Sequence, residues 1–126
     1  MPAAKPSAML VMKDAKLRGI FLSRLTREGW KAEGAEDSEE GERKSVRLRP
    51  AIYALEFQGT AKEAGKIVKH IRSLPTLHAA KILFFLKHPG RELVDEVRRA
   101  GADGVMLWGT LTPRDLVTHF WSYVAN

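Results

Sequence analysis

Apolar positions recur with two alternating periods along this chain. The first apolar run is AMLVM, residues 8–12, and it stops at Lys13-Asp14. Short and unbroken, it reads as a strand buried on both faces. In AKLRGIFLSRLTREG the apolar residues are Leu17, Ile20, Phe21 and Leu25, the i, i+3, i+4, i+8 spacing of a helix with one apolar face, closed by Gly29. WKAEGAE is polar enough for an edge strand. SEEGERKSVRLR is charged almost throughout, with Val46 and Leu48 its only sizeable apolar residues, and is read as a helix.

The pattern then repeats more strongly. AIYAL (51–55) is a second strand apolar on both faces, ending on Glu56. AKEAGKIVKHIRSL carries a helical stripe of Ala61, Ala64, Ile67, Val68, Ile71 and Leu74. KILFFL (81–86) is a buried strand, GRELVDEVRRAG a helix closed by Gly101, and GVMLW (104–108) a fifth strand. In the last helix Thr112 suits the N-cap, Pro113 the first turn and Asp115 the positive end of the helix dipole. Leu116, Val117, Phe120 and Val124 form its inward stripe, which leaves Trp121 and Tyr123 flanking or exposed.

Strand and helix thus alternate five times. That order predicts an α/β domain with a parallel sheet and helices on both faces. In such sheets the functional crevice lies beyond the carboxyl ends of the strands. Met12, Lys13, Asp14, Glu56, Leu86, Lys87, His88 and Trp108 fall there.

Composition narrows the picture. The 126 residues make one domain, expected at 8–126 behind a mobile tail at 1–7. There is no cysteine, which excludes disulfides and a thiolate nucleophile. The apolar run 82–86, which no other exceeds, is far short of a membrane span, and the amino-terminal apolar stretch is too short for a signal peptide. The reading is cytoplasmic, with no membrane contact. A net charge of +6 raises the question of nucleic acid. The cations are spread over separate helix faces, however: Lys16, Arg18, Arg24 and Arg27, then Lys62, Lys66, Lys69 and Arg72, then Arg91, Arg98 and Arg99. Solvated helix surfaces account for them, and a nucleic-acid partner is not expected.

The segment GWKAEGAEDSEEGERKSVRLRPAIYALE and the turn and strand AGADGVMLW resemble the receiver domain of two-component response regulators. The likeness runs from Ala8 to Asn126. Glu56 and Leu86 stand 30 positions apart, the family's interval between its phosphoacceptor Asp and its switch Thr/Ser. The resemblance implies a flavodoxin-like (βα)5 three-layer sandwich with strand order 2-1-3-4-5. It also places the phosphorylation set, and every member is altered. Met12 and Lys13 stand for the two acidic residues that help hold Mg²⁺, with Asp14 one step on. Glu56 stands for the acceptor Asp, Leu86 for the Thr/Ser, Trp108 for the phosphate-contacting Lys, Gly109 for the Pro after it, and Val105 for the aromatic switch residue. The chain looks like a degenerate receiver, a pseudo-receiver.

Mg²⁺ prefers hard oxygen ligands. Met12 offers none, and Lys13 adds a positive charge. Glu56 is one methylene too long for the attack geometry, and displacements near 1 Å cost about 10²-fold. Leu86 cannot hydrogen-bond a phosphoryl oxygen. The expectation is no metal, no cofactor, no aspartyl-phosphate cycle and no enzyme activity. Three readings of Glu56 stay open: a solvated strand end, an ion pair with Lys13, and a fixed mimic of the phosphorylated state. Trp108 either plugs the vacated pocket or anchors a partner.

The expected role is a signalling module acting by protein–protein contact. The family's partner face, formed by the fourth helix, fifth strand and fifth helix, contributes Arg98, Arg99, Val105, Trp121 and Tyr123, for another protein or for a second copy in a homodimer. The alternative is a sensor that takes a small molecule, an anionic aromatic compound for example, among Lys13, Glu56, His88 and Trp108. His88 has no companion ligands in sequence, so no metal site is expected there.

Overall fold

A computed structural model describes residues 5–87, 90–107 and 111–124. Its elements alternate as expected: β1 (Ser7–Val11), α1 (Ala15–Arg27), β2 (Lys31–Ala35), α2 (Ser38–Leu48), β3 (Ile52–Phe57), α3 (Ala61–Ser73), β4 (Lys81–Leu86), α4 (Arg91–Arg99), β5 (Gly104–Leu107) and α5 (Pro113–Val124). All strand pairs are parallel, in the order β2-β1-β3-β4-β5. This is the flavodoxin-like architecture. β1 begins at Ser7, one residue earlier than the apolar run suggests, and β3 runs on through Glu56 to Phe57.

Four of the five helices start where a side chain takes a free amide group, and α4 starts on Gly90 without one. Asp14 accepts from the Leu17 N–H at 3.0 Å and Asp37 from the Glu40 N–H at 2.9 Å. Thr60 and Glu63 form a reciprocal capping box on α3. Thr112 and Asp115 exchange bonds at 3.1 and 3.2 Å at the head of α5, as the sequence suggests. The bonds from Thr112 hold the Asp115 carboxyl below the ordinary carboxylate range.

The sheet separates two cores. On one side Met9, Val11, Tyr53, Leu55, Phe57, Ile82, Phe84 and Leu86 meet the inward residues of α2, α3 and α4. On the other, Leu10, Met12, Ile52, Ala54, Leu83, Phe85 and Met106 meet α1 and α5. The alternation along each central strand supplies both faces at once.

One expectation about helix faces needs correction. Ile20, placed on the inward stripe of α1, is exposed; Leu17, Phe21, Leu22 and Leu25 pack instead. The packed face is centred on Phe21, which rotates Ile20 outward. In α2 the sizeable Val46 is exposed, while Gly41, Ser45 and Leu48 are buried. A Cβ on Gly41 would lie 2.8 Å from both the Tyr53 hydroxyl and Val11 Cγ2, so α2 approaches the sheet through small residues.

Candidate functional site

At the carboxyl end of the sheet, β1 and β3 run in register, Val11 beside Leu55, which brings the next residues, Met12 and Glu56, to the same level. On the other side of β3, Glu56 pairs with Phe85 and Phe57 with Leu86. Three strand ends therefore deliver Met12-Lys13-Asp14, Glu56 and Leu86-Lys87 to one edge, as the sequence implies.

Their contacts differ from the expected ones. Met12 is fully buried beneath α1 and α5. Its N–H donates to the Ala35 carbonyl at 2.9 Å, and its own carbonyl accepts from Arg18 Nη1 at 2.5 Å. The Asp14 carboxylate is engaged as the cap of α1. The Glu56 carboxylate accepts from the backbone N–H of Lys13. The expected pairing of these two residues therefore exists, but through the amide and not the ammonium: no salt bridge joins them among the described residues. The amide is already fixed by the fold, whereas holding the exposed Lys13 side chain would cost rotamer freedom. Leu86 is buried, with its side chain in the core beneath α3 and α4.

A cleft of about 370 Å³ opens at this edge, lined by Lys13, Asp14, Glu56, Phe57, Gln58 and Lys87. Trp108 and His88, expected at its mouth, lie outside the described residues, as does Gly109. Sequence reasoning left Gln58 and Arg18 out of the site and treated Lys87 only as a strand-end residue. Lys87 follows a buried strand directly, as Lys13 follows Met12, and that parallel was the available signal. Arg18 gave none, because its reach back to Met12 depends on Gly34 of β2, over which its side chain lies. Among the described residues no group of three His, Asp or Glu side chains is placed to hold a metal. No helix there is long and apolar enough to cross a membrane.

The residues expected on a common partner face are divided. Arg98 and Arg99 are exposed on α4, and Val105 is half-buried against the core beneath α3 and α4. Tyr123 is half-buried over β5, where its hydroxyl would collide with any Cβ on Gly104. Trp121 points elsewhere, packing on Trp30 at 5.1 Å at the start of β2. Residues two apart on a helix differ by about 200°, so Trp121 and Tyr123 do not share a surface.

The sequence matches no protein-family model and no curated protein. Solved structures of the same fold are numerous. A response regulator from Thermotoga maritima superposes with a TM-score of 0.82 at 16% identity, covering 97% of this chain and 99% of that one. An orphan response regulator of H. pylori gives 0.79 at 19% identity, over 98% and 99%. An atypical orphan response regulator, described as having a phosphorylation-independent regulatory mechanism, gives 0.76 at 19% identity, over 94% of each chain. The fold is that of a response-regulator receiver domain.

Proposed function

Starting from a receiver scaffold, we propose that this domain is a pseudo-receiver: a signalling module that acts by protein–protein contact and is not phosphorylated. The observation that carries this reading is the state of Glu56. Its carboxylate closes onto the Lys13 amide, so the residue at the acceptor position ties the end of β3 to the β1–α1 loop. The neighbouring groups support the same conclusion. A divalent cation needs several hard oxygen ligands, and the donor set fits one poorly. Met12 presents a buried thioether, Asp14 caps α1, and Lys13 and Lys87 bring two positive charges to the cleft. A leucine sunk into the core at position 86 has no hydroxyl to move toward a phosphoryl group. The solved atypical regulator gives a precedent for signalling by this fold without phosphate. Arg98, Arg99, Val105 and the exposed Leu107 remain the partner face on the α4, β5 and α5 side, for another protein or a second copy.

The test is an amide and indole NMR spectrum recorded with and without Mg²⁺ and beryllofluoride, a phosphoryl mimic. The expected result is no change at Lys13, Glu56, Gln58 or Lys87. Localised, saturable shifts there would overturn the reading.

A second reading is favoured by one specific observation: the cleft sets Lys13 and Lys87 beside two carboxylates, Asp14 and Glu56, that are already bonded to backbone amides. It fits a small anionic ligand whose charge sits between Lys13 and Lys87. Shifts at those two residues on adding a panel of aromatic carboxylates, without Mg²⁺, would establish it.

A further inference from the structure

The opposite end of the sheet carries its own unsatisfied groups. There α1 ends, β1 and β2 begin, and the last turns of α5 lie against them. Trp30 is only 2% exposed, and its indole N–H has no acceptor among the described residues. A buried donor without a partner is costly. The ring packs edge-on to Phe120 at 5.6 Å and tilts against Trp121, which is itself 38% exposed. Beside the pair lies a cleft of about 540 Å³ lined by Lys5, Thr26, Trp30, Lys31 and Ala32. That lining has two ammonium groups and no carboxylate.

The strand next to the cleft is the outer one of the sheet. Lys31 donates its N–H to the Pro6 carbonyl, and the Ala35 carbonyl accepts from Met12. The odd-numbered residues of β2 therefore face β1, and Ala32 and Gly34 turn their backbone groups off the edge. The Lys44 ammonium covers the Gly34 carbonyl at 2.8 Å. Ala32, on the same outer edge, has no strand on that side among the described residues.

We propose that this corner binds a short, extended, acidic peptide segment of a partner protein. An apolar or aromatic side chain of that segment packs on Trp121, a residue type enriched at binding hot spots. Its carboxylates meet Lys5 and Lys31, and its backbone pairs with Ala32. Strand-edge pairing is a common mode of peptide capture. It favours a peptide over nucleic acid, whose sugar–phosphate backbone has no N–H donors to pair with the edge. Lys44 confines the pairing to the first half of β2. The proposal rests on the reading of this domain as an interaction module and names the chemistry of one partner. The surface is at the far end from Glu56, so the two readings fail separately.

The experiment titrates the ¹⁵N-labelled full chain with a blocked ten-residue peptide of glutamates around a single phenylalanine. Controls replace the phenylalanine by alanine or all glutamates by glutamine, and a ten-nucleotide oligothymidylate tests polyanions. The Trp30 and Trp121 indole signals and the Ala32 amide should move together, with each control peptide about tenfold weaker. Trp121→Ala should weaken binding about tenfold. Lys31→Glu, on the exposed strand surface where folding is not at risk, should do the same. No movement at about 2 mM peptide, a millimolar affinity limit, would overturn the proposal. So would shifts confined to other residues, binding unchanged by Lys31→Glu, or an equal response to oligothymidylate. Shifts at Glu56 on adding Mg²⁺ and beryllofluoride to the same sample would instead overturn the phosphate-free reading, leaving the peptide result standing.

Discussion

Tyr53 is wholly buried in β3 beneath α2, with its hydroxyl donating to the Ser38 carbonyl at 3.5 Å. Burial pushes the phenol well above its ordinary range, and the negative charges of Glu42 and Asp37 add to the effect. The fold therefore favours the neutral phenol, while the unfolded chain ionises near pH 10. The stability this contributes is fully present below pH 10 and falls as the pH rises above it, by up to about 1.4 kcal/mol per pH unit. Urea midpoints measured from pH 9 to 11 should fall more steeply for the wild type than for Tyr53→Phe. Glu56 makes a different residue-scale prediction. Glu56→Ala leaves the Lys13 amide without its acceptor and should cost about 1–2 kcal/mol in urea unfolding, whereas Glu56→Gln keeps a carbonyl there and should cost less. The Lys13–Glu56 neighbourhood could be read from sequence, because parallel register fixes which strand ends meet. Which atoms of Lys13 would bond could not, since backbone and ammonium compete for the carboxylate at similar reach.

At the scale of elements, α2 ends on Arg49, held at φ 51 in the left-handed region, with its N–H on the Ser45 carbonyl. A Cβ is strained there and glycine is not. Arg49→Gly should raise stability by about 0.5–1 kcal/mol, visible as a higher urea midpoint. The bond from the Ser7 hydroxyl to the carbonyl of residue 49 would survive the change. The types of the central strands and of α1, α3 and α5 followed from hydrophobic period and run length, because central parallel strands are short and apolar on both faces while these helices carry one apolar stripe. The orientation of α1 and α2 did not follow. In α1 the stripe has apolar residues on both flanks, and only packing against α5 and the sheet decides which flank turns in. In α2 the inward residues are glycine and serine, with Ser45 Oγ donating to the Gly41 carbonyl. Close approach, not apolar bulk, seats this helix, and hydrophobicity does not register it.

For the whole molecule, the +6 charge is distributed unevenly. α1 carries Lys16, Arg18, Arg24 and Arg27 with no carboxylate of its own, while β2 and the head of α2 gather Glu33, Glu36, Asp37, Glu39, Glu40 and Glu42. A polar molecule of this kind should bind duplex DNA weakly and without sequence preference. Fluorescence anisotropy with two unrelated duplexes should give equal affinities, both lost on raising salt from about 50 to 200 mM. A preference that persisted at the higher salt would show base readout and revive a nucleic-acid role.

The position of β1 has a consequence for the birth of the chain. It is the first of the five strands to be made and, with Ala8, Met9 and Leu10 fully buried in the finished sheet, one of the most apolar. β2 can join it early, but its other neighbour pairs Ala8 with Ile52 and arrives only after α1, β2 and α2 have been made. During that interval one side of a sticky strand is bare. Long-range parallel pairing of this kind is slow and leaves chains open to misassembly. Nascent chains stalled before β3 should be bound by chaperones at residues 8–12, and chains stalled after it released.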